Sequence, residues 1–371
     1  MSTLLLQPTA RQGRPAPPAG PPAGTPVIIA VDLARTTWVY VCRWAGAERR
    51  RLSAPAGLPP LQALVQSYQG QGCPVTVVYE ACGFGHTIAW WVATQPPAEV
   101  IVVAPSSVEQ APGARVKTDG HDAGGLALKA ERGMLRSIYI PPPAVHQARQ
   151  LSRTYEQVCG DRRRAQVRLR LCFQEQGELG APLRTAGWPA LERWITAQLP
   201  TQPPAVQQCV TELLHQRAAA AASAQRLRTQ LLALSRTAPY APLVHALSAQ
   251  PGVGRFTATR VVLELGAIER FPRAAALTNY LGLTPAEASS GDTVRRGHTR
   301  KCGPGAVRAW LLQSAWVAIR PGRDAALHAV FERLAPRVGR KRAIVAVARR
   351  LALRLRARWL ATLATPPAAN A

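Results

Sequence analysis

Residues 115–130, RVKTDGHDAGGLALKA, set Asp119 and Asp122 three positions apart in a chain poor in acids. On a helix such residues share a face, and two carboxylates there repel unless a basic neighbour, a metal ion or water stands between them. Two further acids close apolar runs: Asp32 ends VIIAVD and Glu80 ends PVTVVYE. Four carboxylates within a few ångströms cannot all stay ionised without a counter-charge. Magnesium, a hard ion that takes carboxylate and phosphate oxygens, supplies one. Two such ions, ~3.5–4 Å apart, stabilise the attacking and leaving oxygens of phosphoryl transfer; a single ion polarises the scissile phosphate. The plainer readings are that Asp119 caps a helix start, Asp32 caps a turn and Asp122 is solvated. The joint pattern D…E…D-x-x-D favours the metal site. Lys117, beside the acids, either holds a phosphate or is simply solvated, and His86 and His121 carry no chemistry that the sequence singles out.

A second chemical stretch is SSGDTVRRGHTRKCG, where Ser289 and Ser290 precede Gly291 in a loop dense in cations. A serine hydroxyl attacks phosphorus only when activated and desolvated. Arg295, Arg296, Arg300 and Lys301 suit a phosphodiester and its transition-state charge; Arg308, on the helix that follows, is a further nucleic-acid contact. From the residues alone, a loop that binds backbone phosphate without covalent chemistry is the stronger reading. Upstream, QPGVGRFTATRVVLELG brackets a tight turn with Gly252 and Gly254. This is either a helix-hairpin-helix-like element, whose backbone N–H groups receive a phosphate, or an ordinary turn between two helices.

The elements that must position these groups follow from periodicity. VIIAVDLA, TTWVYVCRW and ERRRLSA read as strands, LPPLQALVQSYQ as a helix, and PVTVVYEAC as a strand. HTIAWWVATQ is a helix, EVIVVAP a strand, DGHDAGGLALKAERG a helix, and RSIYIPPP closes the unit. The order suits a ribonuclease-H-like mixed α/β sheet, whose site forms at the carboxyl ends of strands. Residues 1–26 read as a disordered Pro-rich tail, 27–143 as the α/β domain, 144–236 as a helical coiled-coil arm, 237–362 as a mainly helical C-terminal domain and 363–371 as a second tail. The arm is either a spacer or an oligomerisation element with basic faces.

Lys and Arg number 46 against 20 Asp and Glu, a net charge of +26. Residues 1–143 hold +4 of it and residues 144–371 the remaining +22. A field of this sign attracts polyanions, nucleic acid before an anionic membrane surface. The 7 cysteines are scattered without a CxxC pair, which fits reduced cytosolic thiols better than a zinc site. No apolar run is long enough to span a bilayer.

Taken together, AVDLA, VVYEACG, KTDGHDAGGLA, QPGVGRFTA, NYLGLTPAEASSG and RAIVAVARRLA make the chain resemble a known family over residues 27–362. It is the DEDD-type transposases of the one-hundred-ten family of bacterial insertion sequences, now called bridge-RNA-guided recombinases. The resemblance implies a RuvC-like domain, a coiled-coil arm and a C-terminal transposase domain. It implies that Asp32, Glu80, Asp119 and Asp122 bind magnesium, and that Ser290, with Ser289 as the fallback, attacks DNA. A covalent protein–DNA link then passes to a new strand without ATP. The implied partners are donor and target DNA, a non-coding bridge RNA and other copies of the chain, as dimers and tetramers. The implied place is the bacterial cytoplasm at the nucleoid. Where the family often has Gly-Asn after the basic loop, this chain has Gly303-Pro304-Gly305. The alternative is a metal-dependent RuvC-like nuclease of the Holliday-junction-resolvase type, with water as the nucleophile.

Overall fold

The structure is a computed structural model that describes residues 20–105, 119–178, 180–287, 296–299 and 303–365; for residues 119–121, 181–182, 285–287 and 296–299 it describes the backbone alone. Lys117, Ser289, Ser290, Arg295, Arg300 and Lys301 lie outside the described residues. The chain divides into two compact units, Met1–Pro142 and Pro143–Ala371.

In the first unit the apolar runs become β1 (Val27–Leu33), β2 (Thr37–Trp44), β3 (Ala47–Pro55), α1 (Leu58–Gly70), β4 (Val75–Glu80), α2 (Thr87–Val92), β5 (Glu99–Val103) and α3 (Asp119–Glu131). The strands form a mixed sheet in the order β3-β2-β1-β4-β5. β1 pairs antiparallel with β2 and parallel with β4, and β4 pairs parallel with β5. Ala45 and Gly46, with φ of 50° and 76°, make the two-residue turn of the β2–β3 hairpin, as the right-handed strand twist favours.

Strand alternation sorts the side chains by face. Val27, Ile29 and Val31 of β1 and Val75, Val77 and Tyr79 of β4 pack with Leu61, Leu64 and Val65 of α1 and Ile88, Ala89 and Val92 of α2. The alternate positions Ala30 and Val78 pack with Ala123, Leu126 and Ala127 of α3. Irregular chain closes the β5 edge and the entry to β4. Ile138 N–H donates to Val102 O at 2.7 Å beside β5. Residues 20–26, read above as tail, instead cover the entry to β4: Pro21 is buried, and Gly24 N–H donates to Gly72 O at 3.0 Å. The turn's carbonyls need partners, and this segment supplies them.

The second unit opens with α4 (Pro143–Glu175), followed by the short α5 (Ala181–Thr185), α6 (Trp188–Gln198) and α7 (Pro204–Leu234). α4 and α7 pair antiparallel as an arm. Its tip is a separate small core of Leu169, Phe173, Leu183, Leu191, Ile195 and Val210. The remaining elements are α8 (Tyr240–Ser248), α9 (Arg255–Leu265), α10 (Ala274–Tyr280), β6 (Pro285–Glu287), β7 (Arg296–Thr299), α11 (Gly305–Ala318), α12 (Ala325–Val338) and α13 (Arg340–Ala364). The expectation of an arm distinct from a C-terminal domain at residue 236 meets a different arrangement. Ala148 and Leu231, from the base of the arm, belong to the same core as α8–α13. The final helix runs to Ala364, past the tail boundary expected at 363. Its apolar stripe Ile344, Val347, Leu351, Leu355 and Trp359 is buried in that core.

Polar ties fix the base of the arm. Arg149 Nε donates to Leu263 O at 2.5 Å. Arg153 Nε and Nη2 grip the Glu264 carboxylate at 3.1 and 3.0 Å, and the hydrogen bonds to Glu264 push the Arg153 guanidinium further up. Buried Arg260 bonds Ser152 Oγ at 3.2 Å and pairs with Glu156. Its guanidinium lies 3.7 Å over the Trp310 ring.

Asp324 performs a similar service among the last helices. Its Oδ1 caps α12 by accepting from Leu327 N–H at 3.0 Å; its Oδ2 accepts from Gln250 at 3.0 Å and Arg354 at 2.6 Å. Asp324→Ala removes a cap and strands two donors. The expected loss is ~2–4 kcal/mol in urea unfolding. Glu332→Ala, an exposed acid on the same helix, changes stability by less than ~0.5 kcal/mol.

Candidate active site

The register of β1 against β4 pairs Ile28 with Thr76 and Val31 with Tyr79. One step further, Asp32 stands beside Glu80, ~4.8 Å away between strands. Both acids occupy alternate positions to Val31 and Tyr79, so both lie on the face that α3 covers. Both close the carboxyl ends of their strands because the apolar run, and with it the buried ladder, stops there.

α3 is oriented by its far end. Glu131 accepts from Arg43 Nε at 3.0 Å, Arg43 Nη2 at 2.8 Å and Gly46 N–H at 3.1 Å. Arg43 is the partner of Ile28, so the carboxyl end of α3 sits at the amino end of β1, and the helix runs antiparallel to β1 and β4. Asp122 lies nine residues back from Glu131, ~13.5 Å along a helix. Asp32 lies four residues on from Ile28, ~13 Å along a strand. The two rises match, so the start of α3 comes level with Asp32 and Glu80. On α3 the buried stripe is Ala123, Leu126 and Ala127. Asp119 and Asp122 precede Ala123 and Leu126 by four residues each and so continue that stripe toward the sheet end. The positive end of the helix dipole faces these acids.

The backbone therefore carries all four predicted acids to one end of one sheet face. Glu80 and Asp122 are exposed and Asp32 is half-buried; Asp119 is described by its backbone alone. Among the described residues no group of three or more His, Cys, Asp or Glu side chains is close enough to hold a metal ion. The three described carboxylates share the site without forming a ligand shell by themselves. Exposed Phe84, in the turn after β4, lies edge-on to Trp38 at 6.2 Å, and Trp38 is paired with Leu33 at this same end of the sheet. On the opposite face of the sheet, burial pushes the Tyr79 hydroxyl up to about 12, so it adds no charge. His86 packs edge-on to Trp90 at 6.0 Å.

In the second unit the stretch with the serines connects β6 to β7, which pair antiparallel through Pro285 with Thr299 and Glu287 with Arg296. Ser289, Ser290, Arg295, Arg300 and Lys301 lie outside the described residues, and Arg296 is described by its backbone in β7. Arg308 is committed elsewhere: half-buried, its Nη1 donates to Leu281 O at 3.1 Å, at the carboxyl end of α10. Gly252 also differs from its expectation as a place for a phosphate to approach. Its φ is +86°, and an added Cβ would stand 2.4 Å from Ser314 O and 2.9 Å from Ala318 N of α11. The close neighbour is a helix backbone. Gly254, the N-cap of α9, has open space about it. Gly303 is held in the same way as Gly252, with φ +75° and Tyr280 O where a Cβ would be. The sequence reading missed the Arg43–Glu131 anchor of α3; an Arg and a Glu 88 residues apart give no pattern that periodicity can detect.

Comparison with known proteins adds family-level information. A DEDD transposase profile of the IS110 type matches residues 29–176, and the profile of the Transposase IS116/IS110/IS902 family matches residues 244–329. A transposase of Sinorhizobium fredii is 29% identical over 228 residues, covering 61% of this chain and 54% of that protein. The chain thus matches about half of that relative's length. A family 20 transposase of Pseudomonas aeruginosa is 26% identical over 70% of this chain and 75% of its own. A protein of the insertion element IS110 of Streptomyces coelicolor is 31% identical over 29% of this chain and 25% of its own.

Because an added methyl at Gly252 meets backbone in a conformation L residues avoid, Gly252→Ala should lose ~2–4 kcal/mol in urea unfolding. Gly254→Ala should lose at most ~1 kcal/mol. DNA affinity per folded molecule is expected to be unchanged in Gly252→Ala; a selective loss of DNA binding with full stability would restore the phosphate role.

Proposed function

From a chain that belongs to the IS110 family of transposases, we propose an RNA-guided recombinase that cuts and rejoins DNA through a serine nucleophile and a metal-bound carboxylate site. The observation that carries this reading is the common level of Asp32, Glu80 and the start of α3 on one sheet face. A sheet of this kind places its chemistry at strand carboxyl ends, and its mixed five-stranded order supports the reading of a RuvC-like domain.

The DEDD domain implies dependence on a divalent metal ion. The donors are carboxylate oxygens from Asp32, Glu80, Asp119 and Asp122, a hard set that suits magnesium. When bound, the ion polarises the scissile phosphate and neutralises charge as it builds on the phosphoryl oxygens. Asp32 and Glu80 hold fixed positions because they close paired strands, and Asp119 and Asp122 are fixed by the seating of α3. In the cleavage step the Ser290 Oγ forms an O–P bond while one P–O bond of the strand breaks. The serine proton passes to the leaving oxygen. In the return step a hydroxyl of a second strand forms the new P–O bond, the serine–phosphorus bond breaks, and the proton returns to Ser290. One phosphodiester is consumed and one made, so no nucleotide cofactor is required. Arg295, Arg296, Arg300 and Lys301 stabilise the charge on phosphorus oxygens in both directions. Ser289 is the fallback nucleophile.

A bridge RNA reads sequence by base pairing while the protein grips backbone and shape, as in other guided systems. The +26 net charge supports a grip on both RNA and DNA. Assembly as dimers and tetramers lets the acids of one subunit meet the serine of another. No helix among the described residues is long and apolar enough to cross a membrane.

Incubation with bridge RNA and end-labelled donor DNA should trap a covalent protein–DNA species that is absent in Ser290→Ala. Normal cleavage by Ser290→Ala would transfer the reading to the water-dependent nuclease. Asp32→Asn and Asp122→Asn, like chelation with EDTA, should slow cleavage by at least ~100-fold. RNA affinity should stay within about two-fold, since the acids do not bind phosphate. Parallel loss of cleavage and RNA binding would assign the acids to folding.

A further inference from the structure

The last three helices place an exposed aromatic ring among cations. Trp316 of α11 is 38% exposed. Its ring meets Phe331 of α12, itself buried in the core, edge-on at 5.5 Å. Arg340, the first residue of α13, holds its guanidinium 5.8 Å from the Trp316 centroid and 5.4 Å from that of Phe331. In the buried core the equivalent distance, Arg260 over Trp310, is 3.7 Å. Arg340 is therefore near the rings but not stacked on them. A base between two planes needs ~6.8 Å, twice the rise of stacked nucleotides, and a small outward swing of the exposed Arg340 side chain provides it.

A second observation is electrostatic. Gly339, with φ 81°, ends α12 and starts α13. The first turn of α13 carries Arg340, Lys341 and Arg342 and no acid. Cations at the positive end of a helix dipole oppose it, and these three are exposed. Around them residues 303–365 hold 13 Arg and Lys against only Asp324 and Glu332, and Asp324 is engaged as a cap. An anion at this turn relieves the repulsion and also satisfies helix N–H groups.

We propose that Trp316 and Arg340 form a stacking site for an unpaired base of single-stranded DNA, with buried Phe331 bracing the indole from below and Arg340, Lys341 and Arg342 taking the adjoining phosphates. A surface built only to hold a duplex uses cations and has no call for an exposed indole, because paired bases show no free face; stacking on an aromatic ring is the mark of single-strand binding. A protein partner with an acidic patch is the competing occupant, and the ring–cation gap favours the base. The choice of DNA rests on transposase membership, since exchanging strands must unpair bases near a cut. The site itself rests on geometry alone, so it can fail while the serine mechanism stands, and the reverse.

The test measures anisotropy of fluorescein-labelled oligo(dT), a matched DNA duplex and oligo(U), each with full-length protein. Trp316→Leu keeps bulk against Phe331 and removes the ring. It should weaken oligo(dT) binding by roughly 5- to 100-fold and leave duplex binding within about two-fold. Arg340→Gln should weaken oligo(dT) and flatten its salt dependence by about one charge. Unchanged oligo(dT) binding in Trp316→Leu, or equal loss for single strand and duplex, would overturn the proposal. So would Trp316-dependent binding that is at least about tenfold tighter for oligo(U). If Trp316→Leu fails to fold, irradiation of wild-type protein with 5-iodouracil-substituted single strand decides: a crosslink at Trp316 supports the site, and crosslinks elsewhere alone reject it.

Discussion

The seating of α3 on the sheet is the constraint on which the candidate chemistry depends. The backbone positions of the four acids fall at one end of the sheet because one helix runs antiparallel to β1 and β4 at a depth set by small residues. Ala123 and Ala127 are almost fully buried, and a larger side chain at either position would lift the helix off the sheet. Its axial position is set at the other end, where Glu131 takes three hydrogen bonds from Arg43 and Gly46. With depth and axial position fixed, Asp119 and Asp122 have little choice about where they begin. Strand parity does the rest, since Asp32 and Glu80 can only share the face of α3 if each follows an inward-facing neighbour.

The same chain uses arginine for two opposed purposes. Arg149, Arg153, Arg260 and Arg308 are bound to carbonyls, carboxylates or aromatic faces at the junctions of helices. A guanidinium suits such places because its planar fork satisfies several acceptors while its face stacks on rings. Most of the arginines on α12 and α13 are instead exposed. Net charge alone does not separate the two groups, and counting every cation as a contact to nucleic acid would overstate the binding surface.

The glycines of the second unit illustrate how one residue type answers different demands. Gly252 and Gly303 occupy left-handed backbone and lie hard against the backbone of a neighbouring helix. At Gly252 the close neighbour is the backbone of α11, which by itself requires a glycine there. The start of α13 is different again: Gly339 turns the chain, and the first turn carries three exposed cations and no acid.

Local pattern was enough for the order of strands and helices in the first unit, because each is a run of 2.0 or 3.6 periodicity within a dozen residues. It also singles out the four acids as candidates: Asp32 and Glu80 end apolar runs, and Asp119 and Asp122 are one turn apart. It was also enough for the arm's two long helices, and with the quoted motifs for the family. Periodicity has no access to contacts between residues distant in the chain. It therefore missed the Glu131 anchor, the short helices at the tip of the arm and the pairing of β6 with β7. It also missed the shared core of Ala148 and Leu231 with α8–α13, and the occupation of Arg308 by a carbonyl. What the amino-acid sequence by itself determined was the chemical inventory and its local spacing, because propensity and face are properties of neighbours. Only the tertiary structure decided which acids come level, which glycines are hemmed in and which arginines stay exposed, because those depend on where one element's atoms leave room for another's.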